Sequence, residues 1–593
     1  MDLHHLHLTP GWLLAVAITY GAWLLVNPLL STYPYASLAG ATQLALLPLG
    51  FIGWLIQPNQ NKRSLWRPTW QLLLLCGAAI AVWGISDYFI YKTSAHGPLI
   101  DANAYAALIN LFLVPTAFAY LNEQPIVRNS NRPYLELSAI VLLALALFAS
   151  LSRGGLLAFL AVLPVVLWQN RNRRTFRSRC TLLLILLLSA YTVVKISPLE
   201  TQKGIEKLLM APAHQLETDT SIQTRFLIWK TTWNIVQNSN LVIGTGLGTF
   251  KNYYATYRDP AETNSSGNLA HNDYLQALQE GGLIQLTFLI TLILIAPCWL
   301  LFKHRRNYNG RNSSGKINSS AGLLLSIVCI SIHALVNFIQ FVAPIALLTG
   351  FYLARAWEIE QPRREFRLLP RRFPMKSYLP KSAIIGLLAV PVFVLALDGI
   401  IFKTLSTRNP LLIHMDERQR FELLNVALTL RPGNPIPRAV MIQDLLEAAH
   451  TSSSRVLREQ FLTHAEQEAS ALAAVAPALA SGWFFLGKTQ ALKGTPGELQ
   501  LARENLERAV KLVPPASGMR LELVKVYQRL GLDDEAYQAV LNSKKWLPLE
   551  KDYRSLAAFA LEARLIAVRQ QNENEVEFWS WVYHRLFELG VAS

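Results

Sequence analysis

Leu269-Ala270-His271-Asn272-Asp273-Tyr274-Leu275-Gln276, followed by Glu280-Gly281-Gly282, is the stretch on which the fold turns. It closes a long hydrophilic segment and opens onto the apolar run 282–302, which carries no charged residue before Lys303. A run of that length crosses the hydrocarbon of a bilayer as a helix. An imidazole held at a membrane surface is a natural place for chemistry, because its unperturbed pKa lies near neutral pH. The alternative is that His271 merely caps the entering helix. The choice depends on which other charged residues the topology brings to the same side.

Composition favours a membrane reading for the whole chain. Its 593 residues exceed one compact domain. Hydrophobic residues make up 52% and the mean hydropathy is +0.26, well above a soluble enzyme. The net charge of +16 sits in short loops between apolar runs, the pattern of topology determinants, and no basic region interleaved with aromatics forms an independent polar domain. Nucleic acid is therefore not an expected partner, whereas membrane lipid is. Cys76, Cys180, Cys298 and Cys329 lie in or beside apolar runs without metal-ligand spacing, so no disulfide framework is expected. The first apolar run continues past Leu30 without a small-residue cleavage site and reads as a retained helix.

Apolar runs long enough to span a bilayer fall at 11–30, 36–56, 70–90, 104–120, 134–151, 154–169, 181–197, 282–302, 320–336, 341–356 and 382–401. With the N-terminus in the cytoplasm, the cytoplasmic loops hold Lys62, Arg63 and Arg67, then Arg128 and Arg132, then the Arg171–Arg179 cluster, Lys303–Lys316, and Arg363–Lys381. The short loops opposite hold only Lys92 and Arg153, a strong positive-inside asymmetry. The expected architecture is all-α: a polytopic membrane protein of about eleven transmembrane helices plus a soluble helical-repeat domain. The expected domains are 1–401, with an outer loop at about 198–281, and 402–593.

In the outer loop, Arg225, Trp229, Trp233 and Val236 recur at helical spacing. Gly244-Thr245-Gly246-Leu247-Gly248 follows; without a preceding strand or a Gly-Lys-Ser/Thr it reads as a tight glycine turn in preference to a phosphate cradle. In the tail, Trp483, Leu486 and Gly487, then Ala502, Leu506, Ala509 and Pro514, keep tetratricopeptide-repeat positions after about three inserted residues. Tyr527, Gly531, Ala536 and Val540 resemble a second, degenerate unit. Such repeats expose a concave surface suited to a protein partner; an unspecialised helical bundle is the other reading.

This topology gathers Arg153, Arg225, His271 and His333 on the outer side, with Lys195 and Lys230 as weaker candidates. Snorkelling, surface solvation or helix packing would account for each alone. Together they lack the carboxylates a divalent metal wants, but guanidinium forks grip a diphosphate bidentately. An imidazole would take the proton from an acceptor hydroxyl while the arginines stabilise the departing diphosphate. No metal or cofactor is expected.

Ser152-Arg153-Gly154-Gly155, Arg225-x-x-x-Trp229 with the glycine turn, and His271-Asn272-Asp273-Tyr274-Leu275-Gln276 with Glu280-Gly281-Gly282 together resemble the bacterial O-antigen ligase and polymerase superfamily. Ala104-Tyr105-Ala106-Ala107-Leu108 adds to the likeness, which covers roughly residues 100–356. The resemblance implies a metal-independent glycosyltransferase of the bacterial inner membrane, moving a glycan from undecaprenyl diphosphate to an acceptor on the periplasmic side. It implies that His271 is the catalytic base and that Arg153, Arg225 and Asn272 bind the diphosphate-linked donor. Ser152, Lys230, Tyr274 and His333 are supporting candidates. Asn337 stands where the family's later motif often carries an acidic residue, so neither it nor His333 is assigned to catalysis.

Three acceptors remain open within that resemblance: lipid A-core, a growing glycan, or serine or threonine of a protein such as a pilin. The long tail favours a protein acceptor or assembly partner. A polysaccharide or lipid transporter, or a scaffold, is the alternative of another class, although no paired inverted halves are visible.

Overall fold

The computed structural model describes residues 11–55, 59–99, 101–121, 133–168, 173–195, 220–309, 320–360, 393, 396–397, 399–401 and 416–588. Lipid offers backbone amides no water, so segments that cross it close their hydrogen bonds internally, and every regular element among the described residues is a helix. The first half contains α1 (Trp12–Leu30), α2 (Pro34–Leu44), α3 (Leu46–Leu55), α4 (Asn59–Phe89), α5 (Ala102–Leu121), α6 (Pro133–Ala149), α7 (Arg153–Trp168) and α8 (Arg173–Lys195). The expected runs from 11–30 to 181–197 coincide with these helices, α2 and α3 together forming one span. Of all the described helices six are long and apolar enough to cross a membrane, and those at Glu136–Ala149, Arg153–Trp168 and Ser320–His333 are apolar but shorter. The protein is an all-α polytopic membrane protein. Most of the expected span 382–401 lies outside the described residues, as do 198–219 of the outer loop.

α5 is the central helix. It is buried on nearly all sides, against α6, α7 and α13 (Ser320–His333), which accounts for its apolar residues showing no one-sided pattern. α3 crosses α14 (Ala343–Glu360) at two glycines: a Cβ on Gly50 would lie 2.3 Å from the Leu347 carbonyl oxygen, and one on Gly350 would lie 2.0 Å from that of Leu47. Small residues at such a crossing let backbones approach where lipid gives helices no hydrophobic drive to associate.

The outer loop builds α9 (Thr220–Gln237), the glycine turn and α10 (Phe250–Tyr257), then enters α11 (Asp273–Ile290). A π-helical stretch, Thr291–Ile295, connects α11 to α12 (Ala296–Asn309). α9 is helical as its spacing predicts; its buried stripe is Ile228, Thr231, Thr232, Ile235 and Val236, while Trp233 is 49% exposed. Trp229 is engaged by the loop ahead of α11, its indole donating to Ala270 O at 3.1 Å. Within α11 the helical geometry breaks at Gly282, with φ of +64°. There the amides of Leu283 and Ile284 donate to Leu241 O and Val242 O. A Cβ on Gly282 would fall 2.2 Å from Val242 O, so the outer turns of α11 and the lipid-crossing part meet at a position that demands glycine.

The tail forms α15 (Glu417–Leu430), α16 (Pro435–Thr451), α17 (Arg455–Val475), α18 (Ala480–Lys493), α19 (Pro496–Leu512), α20 (Ser517–Arg529), α21 (Asp533–Ser543), α22 (Tyr553–Arg569) and α23 (Glu573–Glu588). Consecutive helices pack on one another. Ala502, Leu506, Ala509, Ala536 and Val540 are fully buried, and Gly487 lies against Leu506 and the Ala502 carbonyl. The tail seats on the face that carries the outer loop. Ala476 and Leu479 pack with Tyr33 and Ala36, the Arg431 guanidinium lies 5.3 Å from the Tyr35 ring centre, and the Thr256 hydroxyl donates to Leu512 O at 3.0 Å.

Candidate functional site

His271 occupies a turn immediately ahead of α11 with φ of +52°, a left-handed conformation uncommon outside glycine. It does not cap the helix. That role falls to Asn272, whose Oδ1 accepts the amides of Tyr274 and Leu275 at 3.1 and 3.0 Å. Any contact of Asn272 with substrate would therefore use the other end of its carboxamide. Asp273 reaches the opposite way: its Oδ2 accepts the amides of Ile339 and Gln340 at 2.8 and 3.0 Å, and its own amide donates to Ala334 O. Tyr274 ties the same hairpin through a 2.8 Å hydrogen bond from its hydroxyl to Ser331 O. The motif thus joins α11 to the end of α13, where His333 lies, and to the segment that follows it, which holds Asn337 and Phe338.

Phe338 makes an edge-on contact with the His271 ring, centroids 5.0 Å apart. Burial depresses the pKa of His271 below 6.5 by disfavouring the charged ring, and the Arg225 charge pushes the same way. The Asn337 side chain, Asp101 and Glu262 act in the opposite direction and do not overcome them. The imidazole is therefore neutral at pH 7, the form a general base needs. Its Nδ1, both ring nitrogens of His333 and Oδ2 of Asp101 are buried without a hydrogen-bond partner among the described residues. Buried polar atoms of this kind are what a polar substrate group or an ordered water can satisfy.

The second half of the site comes from the α6–α7 junction. Leu151 takes a positive φ of +55°, and the Ser152 hydroxyl caps α7 by accepting the Gly155 amide at 3.1 Å while donating to Asn103 Oδ1 at 2.7 Å. Arg153 is thereby the first residue of α7. Gly154 and Gly155 face His333: a Cβ on Gly154 would lie 2.9 Å from its Cδ2 and 3.0 Å from its Nε2. Arg225, on α9, acts electrostatically on both His271 and His333. The fold therefore brings together His271, Arg225, His333 and the turn that begins at Ser152 and Arg153.

Lys230 stands apart. It is exposed and faces Asp259 at 3.6 Å. The glycine turn is filled from within, because the Glu280 carboxylate accepts the amides of Gly248 and Phe250 at 2.8 and 3.2 Å. A nest of backbone amides occupied by a carboxylate has no room for a phosphate. Among the described residues no group of three or more His, Cys, Asp or Glu is arranged to hold a metal ion.

Sequence reasoning passes over Asp101, Glu262 and the clamp formed by Asp273. Asp101 opens α5 by accepting the amides of Asn103 and Ala104, and an Asp just ahead of an apolar run is a readable cap signal. Glu262 gathers Tyr254, Ser265 and Arg258, and only the folded loop places its charge near His271. No curated protein matches the chain. Residues 138–290, from α6 through Arg153, Arg225 and His271 into α11, match the family model described as O-Antigen ligase, so this segment is similar to the O-antigen ligase superfamily.

Proposed function

We propose that the protein is a membrane glycosyltransferase that moves a glycan from undecaprenyl diphosphate to an acceptor at the periplasmic face of the inner membrane. The observation that carries this reading is the half-buried His271 imidazole, held edge-on against Phe338 and under the influence of the Arg225 charge. His271 takes the proton from the acceptor hydroxyl as that oxygen attacks the anomeric carbon. The bond from that carbon to the diphosphate breaks, and Arg153 and Arg225 stabilise the departing charge. In this orientation the N-terminus is cytoplasmic and residues 402–593 form a periplasmic, tetratricopeptide-like domain. A protein acceptor ranks ahead of lipid A-core or a growing glycan, because the tail rests on α10 in the loop that leads to His271.

The test offers purified protein an undecaprenyl-diphosphate-linked glycan together with a pilin-like protein, a lipid A-core, or a second lipid-linked glycan. Transfer to one acceptor, lost in His271→Ala and unaffected by chelator, supports the reading. Binding of the donor with no transfer to any acceptor points to a transporter or scaffold.

A further inference from the structure

We propose that Gln276 is a positioning residue for His271, fixing the backbone that carries the imidazole through a directional hydrogen-bond relay anchored on Glu280. The inference rests on the reading of His271 as the base. Gln276, Glu280 and Ala270 are each 1% exposed or less. Glu280 accepts three donors: the Gly248 amide on Oε2, and the Phe250 amide and Gln276 Nε2 on Oε1, the last at 3.1 Å. Three N–H donors converge on its two oxygens, an arrangement that suits the acceptor-only carboxylate. The Gln276 carboxamide therefore has one workable orientation, with Nε2 toward Glu280 and Oε1 toward the Ala270 amide, 2.9 Å away. Flipping it would set an NH2 against an N–H and an oxygen against a carboxylate.

Ala270 is thus held at both ends, by Gln276 at its amide and by the Trp229 indole at its carbonyl. The next residue is His271, in a left-handed conformation that a non-glycine keeps only when its surroundings impose it. Release of the Ala270 amide lets this turn relax and carries the imidazole away from Asn337 and Phe338. The charged groups bearing on the imidazole are Arg225 from α9, Asp101 ahead of α5 and Glu262 from the loop. Those bearing on position 276 are Glu280 and, through it, Asp273.

The experiment uses full-length protein in detergent as wild type, Gln276→Met and Gln276→Glu. Two quantities are read between about pH 5 and 8: glycan transfer from the undecaprenyl-diphosphate donor, and the rate at which diethyl pyrocarbonate modifies His271, followed by peptide mass. Gln276→Met fills similar volume but cannot serve the relay. Its kcat should fall on the order of 10²-fold, as for a catalytic group displaced by about an ångström, with KM for the donor within about twofold. Its His271 should be modified faster than in wild type.

Gln276→Glu should be similarly impaired toward pH 8, where two carboxylates face each other, and its transfer relative to wild type at the same pH should recover as the pH falls. Once protonated, the introduced carboxylic acid donates to Glu280 and accepts from Ala270 as glutamine does. Wild-type transfer with wild-type His271 reactivity in Gln276→Met overturns the proposal. So does a loss confined to KM, or the absence of acidic recovery in Gln276→Glu, which decides the matter alone if Gln276→Met does not fold. If His271→Ala transfers normally, the base reading fails, while faster His271 modification in Gln276→Met still establishes the relay.

Discussion

The imidazole of His333 lies against Gly154 so closely that a single methyl group added at Gly154 would come within 2.9 Å of the ring. Two sequence motifs nearly two hundred positions apart are thereby joined in one site. Gly154→Ala should displace His333 and the start of α7, at a cost of about 1–3 kcal/mol for overpacking. The check is a lowered thermal midpoint in detergent together with reduced transfer; a Gly154→Ala protein unchanged in both would mean that the contact is dispensable.

Asp273 is expected to act on stability before chemistry. Asp273→Ala leaves the amides of Ile339 and Gln340 without their shared acceptor, in a place water does not readily reach. Roughly 1–3 kcal/mol is expected for each buried donor left unsatisfied. Thermal unfolding of the detergent-solubilised variant measures this, and a midpoint equal to wild type would rule out the clamp.

The pH dependence of transfer follows from the depressed pKa of His271. A base with a lowered pKa stays neutral as the pH falls through 6.5, so the acidic limb of kcat should lie below that value. Arg225→Gln removes a charge that opposes protonation, and the limb should move upward while transfer weakens. A pH–rate profile of the two proteins tests the sign, and a downward shift in the variant would contradict it.

Arg153→Lys keeps the charge and loses the planar fork, so transfer should still fall by about tenfold or more if the residue grips a diphosphate. Wild-type transfer would make Arg153 a topological anchor only.

Lys230→Ala should leave transfer within about twofold of wild type, since the ammonium is exposed and pairs with Asp259, an arrangement of small energetic weight. A large loss, measured in the same transfer assay, would place Lys230 back at the site.

Much of this molecule was written in its residues. Uninterrupted apolar runs determined that the chain crosses a membrane as helices, because lipid leaves the backbone no other way to satisfy its polar groups. The motif at 269–282 also marked where the polar loop ends and the crossing begins, with Gly282 at the break. Tertiary structure decided what the motif residues do. Asn272 and not His271 became the cap, Glu280 turned the glycine-rich turn into a nest for its own carboxylate, and Asp273 clamped a hairpin more than sixty positions away. It also drew His333 to Gly154, left Lys230 outside, and seated the tail on the loop that leads to His271. Periodicity reports which residues face apolar surroundings, a local property read along one helix. Which polar atom meets which depends on long-range contacts between segments that share no pattern, and only the assembled chain contains them.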